Sequence, residues 1–145
     1  NTTGVLNRKP LISMTHEEII QSYMVNYVGV INISRASHDY LKKSRGMLLN
    51  FTSSSYTRGR GNYSIYSSCK AAVANFTQAL AEEWSAHNIR VNAINPERTA
   101  TPMRTANFGN EPSNTLLTSK EVALFTIAAM CSEHTGQIFS IKNDL

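Results

Sequence analysis

The sequence predicts an α/β fold built on a parallel sheet. Short apolar runs of strand length alternate along the chain with longer segments of helical period. This alternation is typical of right-handed βαβ units, whose strands run parallel. Only three strands are predicted, which is few for an open sheet with helices on both faces. We therefore expect an incomplete sheet, whose missing strands belong to sequence outside these 145 residues.

Two long helices are predicted. The first begins at a capping box, because the Thr15 hydroxyl can accept a hydrogen bond from the Glu18 N–H while the Glu18 carboxylate accepts one from the Thr15 N–H. Apolar residues at helical spacing continue to about Lys43, and Gly46 is predicted to end the helix. The second helix is predicted over residues 63–87, with one apolar stripe along its length.

Three short apolar runs predict buried strands at residues 47–52, 89–95 and 137–141. Residues 53–62, rich in Ser, Gly and Arg, are predicted to form a loop. Four breakers fall at or within residues 96–118, which predicts a long loop with one helical turn. A third helix is predicted from a second capping box, Thr118 with Glu121, to about Met130.

The composition is that of an ordinary globular protein, with 41% hydrophobic and 17% charged residues. The net charge of +4 suits an anionic small molecule as well as nucleic acid. No apolar run approaches the roughly 18 residues of a membrane span, and no leader pattern is visible. Two cysteines and four scattered histidines give no metal-ligand spacing. We expect a cytoplasmic protein without a metal or a membrane partner.

The strongest chemical signal is Tyr66 four residues before Lys70 on a predicted helix, where the two share a face. A neighbouring ammonium is expected to lower the pKa of the phenol, which would make Tyr66 a general acid. The same spacing also occurs in ordinary surface pairs. Ser53 ends the preceding strand, where its hydroxyl can bind a substrate carbonyl. Asn26, within the first helix, is either a local structural hydrogen bonder or a link in a proton path.

These residues fall within seven segments that resemble, in order and spacing, the carboxy-terminal portion of a short-chain dehydrogenase/reductase. They are residues 1–4 (NTTG), 25–29 (VNYVG), 50–54 (NFTSS), Tyr66 with Lys70, 90–96 (RVNAINP), 101–103 (TPM) and 135–137 (TGQ). The resemblance implies a Rossmann-like fold, of which residues 1–145 would be the carboxy-terminal part.

The resemblance also implies a reaction, hydride transfer between NADH or NADPH and a carbonyl or alcohol. Tyr66 would transfer the proton and Ser53 would orient the carbonyl. Lys70 would hold the cofactor ribose and tune Tyr66, and Asn26 would hold a water of the proton relay. The residues implied to contact the cofactor are Asn1, Gly4, Tyr66, Lys70, Pro96, Thr99 and Thr101.

Three departures from the family pattern stand out. The Gly-rich turn that seats the pyrophosphate is absent from the printed sequence, and residues 59–61 (GRG) do not replace it. These 145 residues alone should therefore bind a dinucleotide poorly. Glu97 follows Pro96 where the family has glycine, and Thr3 replaces alanine.

Four arginines indicate the substrate class. Arg58 and Arg60 lie in the loop after Ser53, and Arg98 and Arg104 lie in the long loop. Around one pocket they would favour a phosphate or carboxylate, although solubility alone also explains loop arginines. This second loop also resembles the reductase part of bacterial ribitol-phosphate cytidylyltransferase fusion proteins, which couple reduction of ribulose 5-phosphate to CDP-ribitol synthesis.

The leading hypothesis is thus an NAD(P)-dependent reductase of a small carbonyl substrate. The main alternative is a degenerate, non-catalytic domain that serves dimerisation or scaffolding. Nucleic-acid binding through Arg58, Arg60 and the neighbouring Tyr56 and Tyr63 is a third hypothesis, and we do not expect it. The family resemblance further implies a homodimer or tetramer formed through residues 17–43 and 63–87.

Overall fold

Three parallel strands form the sheet in the order β1-β2-β3. The computed structural model describes residues 1–143. Its strands are β1 (Met47–Phe51), β2 (Arg90–Pro96) and β3 (Ile138–Ile141). Leu48 pairs with Val91, and Ile94 pairs with Phe139. The predicted α/β class with a parallel sheet is confirmed.

Five α-helices connect and flank the strands in the described residues. They are α1 (His16–Tyr23), α2 (Gly29–Ser44), α3 (Ser64–Trp84), α4 (Pro102–Phe108) and α5 (Ser119–Met130). A π-helical turn, Met24–Val28, joins α1 to α2, so the predicted first helix is continuous but widened at its centre. Both predicted capping boxes are present, at Thr15 with Glu18 and at Thr118 with Glu121.

The end of α2 differs from the prediction that Gly46 terminates the helix. Arg45 takes the left-handed conformation, with φ of 51°, and the Gly46 N–H donates to the Leu41 carbonyl at 2.9 Å. The chain at Gly46 passes close to the helix, because an added Cβ would lie 2.9 Å from Ser44 Oγ and that side chain would have to shift. The arginine therefore makes the turn, and the glycine allows the chain to pass close to the helix.

The core lies between the sheet and the helices α2 and α3. Its buried residues are Leu48, Leu80, Ala81, Trp84, Ile89 and Val91. The buried Asn92 side chain is fully engaged, since it donates to the His134 carbonyl at 2.7 Å and accepts from the Gln137 N–H at 2.9 Å. These bonds fix β2 against the segment that leads into β3.

Residues 97–117, called the lid segment below, are more ordered than the predicted loop. Helix α4 occupies its first half, because Thr101 accepts from the Arg104 N–H and Pro102 starts the first turn. A short bridge between Thr99 and Leu117 closes the base of the segment. The lid segment is therefore a folded flap above the carboxyl ends of β1 and β2.

Candidate active site

A cavity of about 170 Å³ lies between the carboxyl ends of β1 and β2, helix α3 and the lid segment. In open α/β sheets, ligands bind at the carboxyl ends of the parallel strands. Several residues singled out in the sequence line it: Ser53, Tyr66, Pro96, Arg98, Thr99, Thr101 and Arg104. The fold therefore brings together these side chains from three separate stretches of sequence.

Ser53 follows β1 directly and caps a short 3-10 turn, Ser54–Tyr56. Its Oγ accepts from the buried Ser55, from the backbone N–H at 3.4 Å and from the hydroxyl at 3.3 Å. With two donors directed at its oxygen, the Ser53 hydroxyl is left to donate its own hydrogen. Sequence reasoning missed Ser55, since nothing in a serine-rich loop distinguishes it.

Tyr66 is half-buried near the start of α3. Burial raises the pKa of the phenol above its usual value of 10.0, and a hydrogen bond with Ser53 works in the opposite direction. The Tyr63 ring packs edge-on at 6.4 Å between ring centroids. Tyr66 therefore keeps its proton at neutral pH and is suited to act as a general acid.

Lys70 lies one turn further along α3 and is only 4% exposed. Its Nζ donates to the Phe51 carbonyl at 2.9 Å and lies 5.6 Å from the centroid of the Tyr66 ring. Burial lowers the pKa of Lys70 from 10.5 to about 8. The expectation that Lys70 lowers the pKa of Tyr66 is not met, because burial raises that pKa and the opposing effect comes from Ser53.

Asn26 is fully buried in the π-helical turn. Its side chain donates to the Val5 carbonyl at 2.9 Å and accepts from the Val5 N–H at 3.0 Å. A Cβ on Gly4 would lie 3.2 Å from Asn26 Oδ1 and 3.8 Å from Lys70 Nζ. The side chain thus ties the amino-terminal segment beside Lys70, and a part in a proton relay stays a prediction.

Asn1 lies against the free edge of β1, where its backbone nitrogen donates to the Leu49 carbonyl at 2.9 Å. Its side-chain Nδ2 is buried and has no partner among the described residues. Glu97, the residue that departs from the family pattern, accepts from the Asn143 N–H at 3.2 Å. Its carboxylate is therefore held at the base of the lid segment.

The four predicted substrate-binding arginines separate into two pairs. Arg98 and Arg104 line the cavity. Arg58 and Arg60 lie in a turn, residues 57–62, that is exposed throughout and does not contribute to the lining. The expectation of four arginines around one pocket is therefore wrong for Arg58 and Arg60, because their turn extends into solvent.

Three apolar residues of the cavity, Leu6, Met103 and Phe108, were not predicted. Leu6 lies in an irregular segment, and Met103 and Phe108 lie in the short helix α4, where no sustained periodicity in the sequence marks an inward-facing side chain. Within residues 1–143 there is no group of three or more His, Cys, Asp or Glu side chains arranged to hold a metal ion. No helix in the same range is both long and apolar enough to cross a membrane.

Comparison with known proteins assigns the family. The model of the short chain dehydrogenase family matches residues 1–112, which include Ser53, Tyr66 and Lys70. The chain belongs to this family. The resemblance in the sequence segments is thereby confirmed, and the three-stranded sheet is part of the family's Rossmann-like fold.

Two relatives within the family are reductases. The chain is 55% identical over 141 residues to the bifunctional ribulose 5-phosphate reductase/CDP-ribitol pyrophosphorylase of Haemophilus influenzae, covering 97% of this chain and 30% of that protein. It is 35% identical to the L-xylulose reductase of Bos taurus, covering 71% of this chain and 43% of that protein. The chain thus spans less than half the length of these relatives.

Solved structures show the same architecture. The 3-ketoacyl-(acyl-carrier-protein) reductase of Brucella melitensis, complexed with NADH, superposes with a TM-score of 0.88 at 24% identity, over 99% of this chain and 64% of that one. A short chain dehydrogenase from Salmonella enterica gives a TM-score of 0.86 at 28% identity, over 94% of this chain and 58% of that one.

Proposed function

We propose that residues 1–145 are the carboxy-terminal part of an NAD(P)-dependent reductase domain that reduces the carbonyl group of a small sugar phosphate. The observation that carries the proposal is the convergence of Ser53 and Tyr66 on one cavity, with Lys70 buried behind them. Ribulose 5-phosphate is the candidate substrate, because a relative with 55% identity is named as its reductase.

The proposed chemistry uses two hydroxyl groups. The Ser53 hydroxyl donates a hydrogen bond to the carbonyl oxygen and stabilises the negative charge that develops there. The nicotinamide, when bound, supplies the hydride that forms the new C–H bond. Tyr66 transfers its proton to the same oxygen, which completes the alcohol and leaves a phenolate. The Lys70 ammonium, 5.6 Å from the ring centroid, stabilises that phenolate until it is reprotonated.

The residues present fit the nicotinamide–ribose half of the cofactor. A protonated Lys70 has three N–H donors, and one of them is used on Phe51, so two remain for ribose hydroxyls. Pro96, Thr99 and Thr101 line the same cavity, where the nicotinamide would lie. The pyrophosphate requires residues outside this chain, since the printed sequence has no Gly-rich turn. The proposal covers NADH and NADPH alike.

We also propose a homodimer or tetramer formed through residues 17–43 and 63–87. Large apolar side chains are exposed along the first of these segments: Ile20, Tyr23, Met24, Ile33 and Tyr40. Helix α3 has no such exposed residue, so the first segment supports the proposal more strongly. Light scattering at micromolar concentration tests it, and a monomer would contradict it. The cytoplasm stays the predicted compartment, and no nucleic-acid partner is proposed.

The Tyr66→Phe variant of the complete domain tests the proposed chemistry. It removes the acidic proton and keeps the ring, so the fold and cofactor binding should persist. Reduction of ribulose 5-phosphate, followed by NAD(P)H absorbance, should fall by about 10²- to 10⁴-fold. Activity near that of the wild type would show that Tyr66 is not the acid.

A fluorescence titration separates this proposal from the non-catalytic alternative. The wild-type complete domain should bind NADH or NADPH at micromolar concentrations. If it binds neither and reduces no sugar, the domain is a degenerate member of the family, and the reductase proposal is wrong.

A further inference from the structure

The two arginines that line the cavity are not equivalent. Arg104 donates to both oxygens of Glu111, from Nε at 2.6 Å and from Nη2 at 2.8 Å. Its guanidinium carbon also lies 3.7 Å from the centroid of the Phe108 ring. A bidentate pair stacked on an aromatic face is a strongly oriented arrangement. The charge of Arg104 is therefore balanced, and its position is fixed by the protein itself.

Arg98 is held much less firmly. Its side chain is 52% exposed, and its Nη1 lies 4.0 Å from Glu111 Oε1, an oxygen that already accepts from Arg104. A guanidinium has five N–H donors, so most of those of Arg98 stay available. Among the cavity-lining residues of the described chain, Arg98 is the cation without a close ion pair.

Glu111 reduces the attraction of Arg104 for an anion more than that of Arg98. Its hydrogen bonds from Arg104, and the charges of Arg104 and Arg98, hold the pKa of the carboxyl below its usual value, so it stays ionised at neutral pH. A substrate anion that approached Arg104 would meet this carboxylate and be repelled. Arg98 lies 4.0 Å from the same carboxylate and makes no hydrogen bond with it, so its N–H donors stay available to an anion. The other carboxylate of the cavity, Glu97, accepts from the Asn143 N–H.

We propose that Arg98 binds the anionic end of the substrate, and that the Arg104–Glu111 pair is a fixed part of the lid segment that directs the anion to Arg98. The inference rests on the proposed function and adds a specificity-determining residue to it. The ligand class is a phosphate monoester of a short keto sugar, with its carbonyl at Ser53 and Tyr66.

The test compares ribulose 5-phosphate with ribulose in the complete domain. In Arg98→Gln, KM for ribulose 5-phosphate should rise about 10- to 100-fold, the range of a lost charge-assisted hydrogen bond. The value of kcat should change by less than about threefold, because the lost contact is the same in the ground and transition states. The kcat/KM for ribulose should stay within about twofold, and Arg98→Lys should recover part of the loss.

The matched control is Arg45→Gln, which makes the same substitution at an exposed arginine. Arg45 precedes β1 and lies at the amino ends of the strands, opposite the cavity. It should leave both substrates unaffected. Equal losses for both sugars in Arg98→Gln would overturn the inference, as would a phosphate-selective loss in Arg104→Gln or Arg58→Gln but not in Arg98→Gln. Circular dichroism of each variant excludes unfolding as the cause.

Calorimetric binding of ribulose 5-phosphate distinguishes failure of this inference from failure of the proposed function. A domain that binds the sugar phosphate through Arg98 but does not reduce it would contradict the reductase and support the anion site. A domain that reduces ribulose 5-phosphate, and whose Arg98→Gln variant binds it with unchanged affinity, would support the reductase and contradict the anion site. A wild-type domain that neither binds nor reduces it would overturn both.

Discussion

The two walls of the cavity are held in place in different ways. Ser53 and Tyr66 form one wall, on the end of β1 and on α3, and Lys70 is buried behind them and bonded to the main chain of Phe51. The lid segment forms the other wall, where an ion pair with Glu111 holds Arg104, and Arg98 is half-exposed at 4.0 Å from the same carboxylate. The first wall rests on β1 and α3, whereas the second is a segment closed at its own base by the bridge of Thr99 with Leu117.

This difference matches the two tasks that we propose for the site. Proton transfer requires hydroxyl groups at fixed positions, which regular elements provide. Substrate selection can change with the composition of a loop while the chemistry stays the same. The fixed wall should therefore determine kcat, and the lid segment should determine KM.

Replacing Ser53 by Ala would break the fixed wall with the largest effect among the substitutions that follow. It removes one of the two donors to the carbonyl oxygen, and we expect kcat to fall by about 10²- to 10³-fold. Because the Tyr66 proton remains, some activity should persist. Steady-state kinetics with ribulose 5-phosphate measures the effect, and a loss expressed only in KM would place Ser53 outside the chemical step.

Replacing Lys70 by Met separates activity from stability within the same wall. The pKa of Lys70 is about 8 in the fold against the usual 10.5, so burying the ammonium destabilises the folded state at pH 7. After the lost hydrogen bond to Phe51 is subtracted, Lys70→Met should increase the free energy of unfolding by about 2 kcal/mol while kcat falls.

The sign of this effect can be checked through pH. Between pH 8 and 10.5 the unfolded chain binds more protons at Lys70 than the folded chain does, so wild-type stability gains from rising pH in this window. The advantage of Lys70→Met should therefore shrink across it. Urea unfolding without cofactor at pH 7 and pH 10 measures the change, and an advantage that grew with pH would contradict the assignment.

Replacing Arg8 by Ala would loosen the lid segment, with the smallest effect. Arg8 Nη1 donates to the Asn107 carbonyl at 3.4 Å, and its guanidinium carbon lies 4.8 Å from the centroid of the Phe108 ring. Because these contacts are exposed, we expect kcat/KM to fall about twofold to threefold and the stability to change by less than about 0.5 kcal/mol. A loss in kcat as large as that of Ser53→Ala would erase the distinction between the two walls.

The fixed wall could be predicted from sequence because regular periodicity positions it. Tyr66 and Lys70 share a helix face at a spacing of four, and Ser53 directly follows an apolar strand. The three strand segments and both capping boxes follow from equally local patterns. The prediction of a lowered pKa for Tyr66 was wrong, because this pKa depends on how deeply the phenol is buried, and residue spacing does not reveal burial.

The lid segment could not be predicted to the same extent. The Arg104–Glu111 pair joins residues on either side of Gly109, whose positive φ of 76° turns the chain back on itself. No repeat in the sequence marks that reversal. The exposed positions of Arg58 and Arg60 likewise depend on the path of a turn, so charge alone could not separate them from Arg98.

The most direct test is a crystal structure of the complete domain, as Tyr66→Phe, with cofactor and ribulose 5-phosphate bound. We predict the substrate carbonyl oxygen at about 3 Å from Ser53 Oγ, beside the ring of residue 66, and the phosphate on the guanidinium of Arg98. A substrate seated with its carbonyl away from Ser53, or with its phosphate on Arg58 or Arg60, would contradict the account.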